Sequence, residues 1–425
     1  MSVVSEEPSS QWTQNAQDIR TSLAQQAGEL RELSETFEPR EQSLFALEPE
    51  IILKAKEFIN TAQTPMDFTW SIMGAAMGAA VIRTLVHVDA LRSIPYPAGA
   101  TVSTLTEETG AQQSLLERLL RAAVSISFLS YDSQTKRFKH TPVSAAWTEP
   151  ANLASDAFSF LYDTGLAPMV LLPEWLQHND PTQASEPMGH KARTHNPLTY
   201  RHGTEGRTVF ETLASNPENV AVFSRMLGAA AGFRPFTGIY PWERLADEDP
   251  ARPLFVDVGG GSGQAIAAIL ATSPDLPASG FVLQELPGVV SQAERDNISL
   301  PAGVRLQAHD FFTQNPVKGA KVYHIRACLH DWPDSTCVQI LRNIVPAMAA
   351  DSRVLIAESL LPEDPREDEG GLMGFQDMLM LCIGGKERTR EGFKQIVEEA
   401  GLVIERIWEG DRIGRFAVVE CKLPN

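Results

Sequence analysis

A glycine run, Phe255-Val-Asp-Val-Gly-Gly-Gly-Ser-Gly263, follows an apolar stretch and opens a helical pattern at 264–270. Gly259, Gly261 and Gly263 carry no Cβ, so backbone amides can approach a ligand at a helix N-terminus. The dinucleotide fingerprint needs a third glycine three residues after the second, and Gln264 and Ile266 stand where it would fall. Asp257 instead suits a nucleotide with a zwitterionic amino-acid end, whose ammonium it can bind directly or through water. Further on, Glu285 offers a carboxylate that can accept from both hydroxyls of a ribose, its alternative being a helix-capping acid. Asp310, beside Phe311 and Phe312, can accept from an adenine amino group while an aromatic ring covers the base. The segment Tyr323-His-Ile-Arg-Ala-Cys-Leu-His-Asp-Trp-Pro-Asp334 then leaves an apolar strand where open α/β sheets hold their ligands. His324, inside that strand, reads as structural.

These groups need a frame that brings several strand ends together. From Leu254 short apolar runs alternate with helical patterns, and strands are expected at 254–258, 280–284, 303–307, 321–327 and 353–357. Two more, 402–408 and 415–421, flank a Gly-Asp turn and read as an antiparallel hairpin. Such alternation implies an α/β fold, a Rossmann-like, mostly parallel seven-stranded sheet with right-handed crossovers. Ahead of it the pattern is helical. Ile19, Leu23, Leu30, Leu33 and Phe37 recur at helical spacing from Asp18, Pro39 interrupts, and a second helix covers about 50–60. The stretch Phe68–Ile82 is apolar on nearly every face, with Gly74 and Gly78 four apart. It reads as a buried core helix, as one packed against a second subunit, or as both. Residues 101–147 run helix, Gly110 turn, helix, strand, strand, which is a winged helix-turn-helix. On its second helix Glu117, Arg118 and Arg121 nearly cancel, so a structural or dimerisation role is favoured over DNA binding.

Bulk properties narrow the class. At 425 residues the chain exceeds one hydrophobic core, and 43% apolar with 21% charged residues is ordinary globular composition, so two folded domains are expected. A net charge of −18 repels phosphate backbones, which sets nucleic acid aside as a partner. Cys328, Cys337, Cys382 and Cys421 form no CxxC and read as reduced thiols of a cytoplasmic protein. The acidic N-terminus has no signal-peptide pattern, and the 15 residues of 68–82 fall short of the ~20 a membrane span needs. His178, His190, His195 and His202 lie in a Pro- and Gly-containing stretch, 177–207, without ligand spacing or an acidic cluster. That stretch reads as a surface or pocket-covering loop, and no metal site is expected.

Leu329-His-Asp-Trp-Pro-Asp334, the glycine run, Ala357-Glu-Ser359 and Gly384-Gly-Lys-Glu-Arg-Thr389 together resemble the caffeate-type O-methyltransferases. These are class I S-adenosylmethionine-dependent enzymes, and the likeness is nearest to fungal members acting on polyketides and other secondary metabolites. It spans about residues 65–425. The resemblance implies S-adenosylmethionine as cofactor, with contacts from Asp257, Gly259, Glu285, Asp310, Phe311 and Arg326, and further ones from Phe223 and Met226. It implies a general base at His330, accompanied by Asp331 and flanked by Glu358 and Glu387. Glu285 stands where plant members usually have Asp, and Arg326 where they often have Lys; both keep the charge. A sulfonium methyl is already electrophilic, so the remaining tasks are aligning an oxygen nucleophile and removing its proton. A phenol near ~10 and a histidine near ~6.5 differ by about 3.5 pKa units, roughly 5 kcal/mol. Flanking carboxylates favour the imidazolium that forms.

The resulting expectations are a disordered tail at 1–16, a helical and winged-helix domain for dimerisation and substrate binding at 17–240, and a cofactor-binding catalytic domain at 241–425. The favoured reaction is methyl transfer to a phenolic or enolic hydroxyl of a small aromatic or polyketide substrate, by a homodimer. A second reading is a pericyclase on the same fold, which keeps the cofactor while catalysing dehydration and ring closure without net methylation. A non-catalytic regulator using the winged helix is the third.

Overall fold

The computed structural model describes residues 10–36, 50–149, 153–179, 189–215, 222, 237–247, 249–295, 300–368, 371–410 and 415–424. The chain forms two compact units, Met1–Tyr162 and Asp163–Asn425.

The first unit is helical. Helix α1, Ser10–Thr36, begins ahead of the amphipathic pattern and takes in part of the stretch expected to be disordered. It lies beside α2, Glu50–Ala62, with Lys54 paired to Glu29 at 3.3 Å. Helix α3, Pro65–His87, is the apolar segment, and its 23 residues exceed the 15 counted from sequence. Thr64 opens it with a reciprocal capping box to Asp67 and Pro65 occupies the first turn, while nothing at Arg83 breaks it. A charge ends a hydropathy window but not a helix. By length and composition alone α3 is long and apolar enough to cross a membrane. Its two halves differ. Gly78, Ile82 and Leu85 are buried, whereas Phe68, Trp70, Ile72, Met73 and Met77 are exposed.

The C-terminal half of α3 packs into the winged-helix unit. That unit comprises α4 (Val102–Thr109), α5 (Gln113–Ser125), β1 (Leu129–Asp132) and β2 (Arg137–His140), the strands pairing antiparallel. Gly110, at φ 69°, closes α4 as expected. Leu85, Leu105, Leu116, Leu120 and Phe138 form its core. His140 is buried at its end, with Nδ1 against Ser144 Oγ (2.9 Å) and Nε2 against the Leu91 carbonyl (3.0 Å).

The second unit is built on a seven-stranded sheet: β3 (Phe255–Val258), β4 (Phe281–Glu285), β5 (Arg305–Ala308), β6 (Val322–Arg326), β7 (Arg353–Ser359), β8 (Val403–Glu409) and β9 (Phe416–Lys422). Their order is β5-β4-β3-β6-β7-β9-β8; β5 to β7 run parallel, and the β8–β9 hairpin adds two antiparallel strands. β3 is buried at all four residues, as strands covered on both faces must be. One face packs Val256, Tyr323, Ile325 and Leu341, the other Trp242, Phe255, Ile269 and Leu355. The strand order reverses between β3 and β6, so the crevice beyond their C-terminal ends is the topological switch point. The compact division lies N-terminal to the boundary expected near Pro241, because residues 163–240 include segments tied to the sheet unit. Asn196, fully buried, donates to the carbonyls of Ala192 (2.9 Å) and Ile383 (3.2 Å).

Candidate active site

Apart from Glu387, which follows the Leu372–Ile383 helix, the described candidate residues from the sequence stand at or just beyond the C-terminal end of a parallel strand. Asp257 and the glycine turn close β3, Glu285 ends β4, Asp310 follows β5, Arg326 ends β6 and His330 follows it, and Glu358 is the penultimate residue of β7. The glycine turn is held from within. The amides of Gly259 and Gly260 donate to the Gln284 carbonyl (2.9 and 3.3 Å) and Gly263 donates to Gly260 (3.0 Å). Gly261 donates to Glu285 Oε1 (3.0 Å). What the glycines leave to a ligand is therefore backbone without Cβ, rather than unused amides. Gly260 shows why: a Cβ there would lie 2.4 Å from Asp257 Oδ2.

Asp257 is almost wholly buried. His324 Nδ1 donates to its Oδ1 (2.8 Å), while Oδ2, beside the glycine turn, has no hydrogen-bond partner. A buried carboxylate oxygen without a donor is costly, and the ammonium end of an amino-acid-bearing nucleotide meets that need. His324, set aside as structural, is thus the residue that orients Asp257. Glu285 takes the Leu286 amide on its other oxygen (2.8 Å), and burial raises its carboxyl above the ordinary value. Asp310 is exposed and accepts the Phe312 amide (3.0 Å). The Phe311 ring comes next to Gly259. Arg326 lays its guanidinium over the Phe416 ring, 5.3 Å from the centroid. Phe223 and Met226 lie outside the described residues.

Beyond β6 the chain turns sharply. Ala327 adopts φ 46°, a left-handed conformation that costs a residue with a Cβ about 1–2 kcal/mol. The turn that follows is secured at every peptide from Cys328 to Trp332. Glu358 Oε1 accepts from the amides of Cys328 (2.8 Å), Leu329 (2.8 Å) and His330 (3.4 Å). Arg388, buried, donates Nη1 to the Leu329 carbonyl (3.0 Å), Nη2 to that of Trp332 (2.7 Å) and Nε to Asp334 (2.7 Å). The Lys386 amide donates to the His330 carbonyl (2.8 Å), and Arg193 Nη1 to that of Asp331 (3.1 Å). This explains the paired glycines of the Gly384–Thr389 segment: a Cβ on Gly385 would sit 2.2 Å from the His330 carbonyl oxygen.

Within this turn the His330 ring is buried and meets Glu387, whose Oε1 is 2.8 Å from Nδ1. Gln376 Nε2 donates to the same oxygen (2.6 Å). A carboxylate only accepts, so Nδ1 carries the proton that Glu387 receives. Asp331 Oδ1 lies 3.8 Å from Nε2. Glu358 Oε2 is 3.9 Å from Nδ1, so Glu358 chiefly caps the turn and Glu387 chiefly holds the ring. Sequence reasoning missed Arg193, Arg388, Gln376 and His324. Arg388 and Arg193 carried a weak signal, being charged residues within or near recognised segments. Among the described residues no group of three His, Cys, Asp or Glu is arranged to hold a metal.

A sequence profile of the O-methyltransferase domain matches residues 190–403. Methyltransferase pynC of Aspergillus niger is 37% identical over 77% of this chain and 89% of its own length. Among solved structures, OxaC in complex with SAH and oxaline is 26% identical, with a TM-score of 0.78 over 96% of this chain and all of that one. LepI complexed with SAM, 23% identical with a TM-score of 0.72 over 95% of this chain and all of that one, shares the fold. The profile match, the extent of likeness to pynC and the arrangement of the strand ends agree, and the chain belongs to the O-methyltransferase family.

Proposed function

We propose that this chain transfers the methyl group of S-adenosylmethionine to a phenolic or enolic hydroxyl of a polyketide-like secondary metabolite, with His330 as general base. The observation that supports this reading is the buried Glu387–His330 pair at the switch-point crevice, with Glu387 on the Nδ1 side of the ring. Bound across the glycine turn, the cofactor supplies an electrophilic sulfonium methyl. Asp257 and Glu285 take its ammonium and ribose ends, Asp310 and Phe311 its base, and the Arg326 side chain bounds the same crevice. Gly259, Gly261 and Gly263 let it lie close to the backbone. His330 Nε2 takes the hydroxyl proton as oxygen attacks, and the carboxylate of Glu387 stabilises the imidazolium. Asp331 lies on the Nε2 side of the ring and adds to that stabilisation.

We further read the chain as a homodimer joined through the exposed apolar half of α3 and as a cytoplasmic protein. The latter is supported by four cysteines that form no disulfide. The central test uses labelled S-adenosylmethionine and a panel of polyketide phenols and pyridones. A labelled methyl on an acceptor oxygen is expected, with His330→Ala losing most turnover and keeping cofactor affinity. An isomerised or dehydrated product at constant cofactor would replace this reading by the pericyclase one. Near-normal turnover of His330→Ala would remove the base assignment.

A further inference from the structure

The two arginines on the catalytic turn differ in how their donors are used. Arg388 directs Nε, Nη1 and Nη2 at acceptors of the turn itself, as a structural clamp does. Arg193 is 7% exposed, gives Nη1 to the Asp331 carbonyl, and keeps a buried Nε with no acceptor. Its guanidinium lies over the Trp332 ring at 4.0 Å and near the Phe210 ring at 5.2 Å, in an environment that is largely desolvated. Leaving a donor of a cation buried and unmatched costs on the order of 1–3 kcal/mol or more, a cost that a structural clamp has no reason to retain. The position is fixed rather than accidental, because Asn196 ties the preceding Ala192 carbonyl to the end of the Leu372–Ile383 helix.

The place of this guanidinium is informative. Asp331 stands between the guanidinium and the base, with Oδ2 3.9 Å from Arg193 Nη1 and Oδ1 3.8 Å from His330 Nε2. Arg193 therefore borders the side of the imidazole that the proposed proton transfer uses. Its charge is partly balanced by Asp331, so a full anion gains less there than a neutral oxygen that needs a donor.

We infer that Arg193 is a specificity-determining residue that donates to a carbonyl oxygen adjacent to the reacting hydroxyl, selecting ortho-hydroxyaryl ketones and their vinylogous enol counterparts. The inference rests on the proposed function for which oxygen is methylated, but the recognition itself is a binding property. Donation from a cation to the carbonyl withdraws electron density from the conjugated ring. It thereby acidifies the neighbouring hydroxyl and narrows the gap that His330 must bridge.

The test compares two probes of nearly equal shape, 1-acetyl-2-naphthol and 1-ethyl-2-naphthol, titrated calorimetrically into the full chain saturated with S-adenosylhomocysteine. The wild type is expected to prefer the acetyl probe by about 10- to 100-fold, the range of a hydrogen bond to a charged donor. Arg193→Met should lose that preference and Arg193→Lys should keep part of it, with S-adenosylhomocysteine affinity as the control for folding. Equal or undetectable binding of the two probes to wild type, or an unchanged preference in Arg193→Met, overturns the inference. If Arg193→Met does not fold, Arg193→Gln and the wild-type comparison decide in its place. A retained preference without methyl transfer to any acceptor would defeat the proposed function and leave this inference standing.

Discussion

At the scale of single residues, two glutamates near one histidine do different work. Glu387 holds the ring, so Glu387→Gln is expected to lower kcat by about 100-fold or more, the range of a disturbed general base, with S-adenosylhomocysteine affinity nearly unchanged. Glu358 accepts three backbone amides, so Glu358→Gln should lower the thermal midpoint first, through about 1–3 kcal/mol of weakened charge-assisted bonds. Equal effects of the two on kcat and on stability would contradict this division. Glu285 adds a pH dependence. Burial raises its carboxyl above the ordinary 4.5, and the ionised form is the one that accepts ribose hydroxyls. Cofactor affinity should therefore fall with acidification at higher pH than an ordinary glutamate gives, and the Glu285→Gln curve should be flat there. Parallel calorimetric curves from pH 8 to pH 5 would exclude Glu285 from that role. His330, Glu387, Asp257 and Glu285 could be picked out from sequence because each stands in a short stretch with a recurring form. The roles of Arg193 and His324 were at most faintly marked, since their partners Asp331 and Asp257 are 138 and 67 residues away.

At the scale of elements, the Gly384–Thr389 segment fits tightly against the turn that carries His330. Gly385→Ala would press a methyl against the His330 carbonyl, and overpacking of this kind costs about 1–3 kcal/mol. Turnover should fall by at least tenfold while the sheet keeps its cofactor; a variant as active as wild type would show that the turn has slack. The winged-helix unit carries its own pH dependence. Burial lowers His140 below its ordinary 6.5, although the Leu91 and Ile94 carbonyls pull the other way. A depressed histidine adds stability above the unfolded value and loses it as pH falls through the folded one. The thermal midpoint of this unit should thus drop below about pH 6.5, and less so in His140→Gln. The strands were legible because apolar runs bounded by turn residues have few other uses, and each observed strand falls within two residues of its expected start. The length of α3 was not, because hydropathy marks where a helix is buried or apolar, while capping marks where it begins.

At the scale of the whole molecule, α3 joins one buried half to one exposed apolar half. Phe68, Trp70, Met73 and Met77 on a single helix make a surface that a lone chain gains by covering. Sedimentation should report twice the chain mass, and Trp70→Glu with Met73→Glu should yield monomers. A wild-type monomer that partitions into vesicles would assign the surface to lipid instead. Trp332 touches groups assigned above to both ligands. Its indole meets Phe312 at 5.0 Å and Phe311 at 5.9 Å, beside the place proposed for the adenine, and also the Arg193 guanidinium at 4.0 Å. On the proposed placements, the protein carries its own chromophore beside both ligands. Its emission should shift once when the nucleotide enters and again when the acceptor follows, allowing the order of arrival to be timed by rapid mixing without any label.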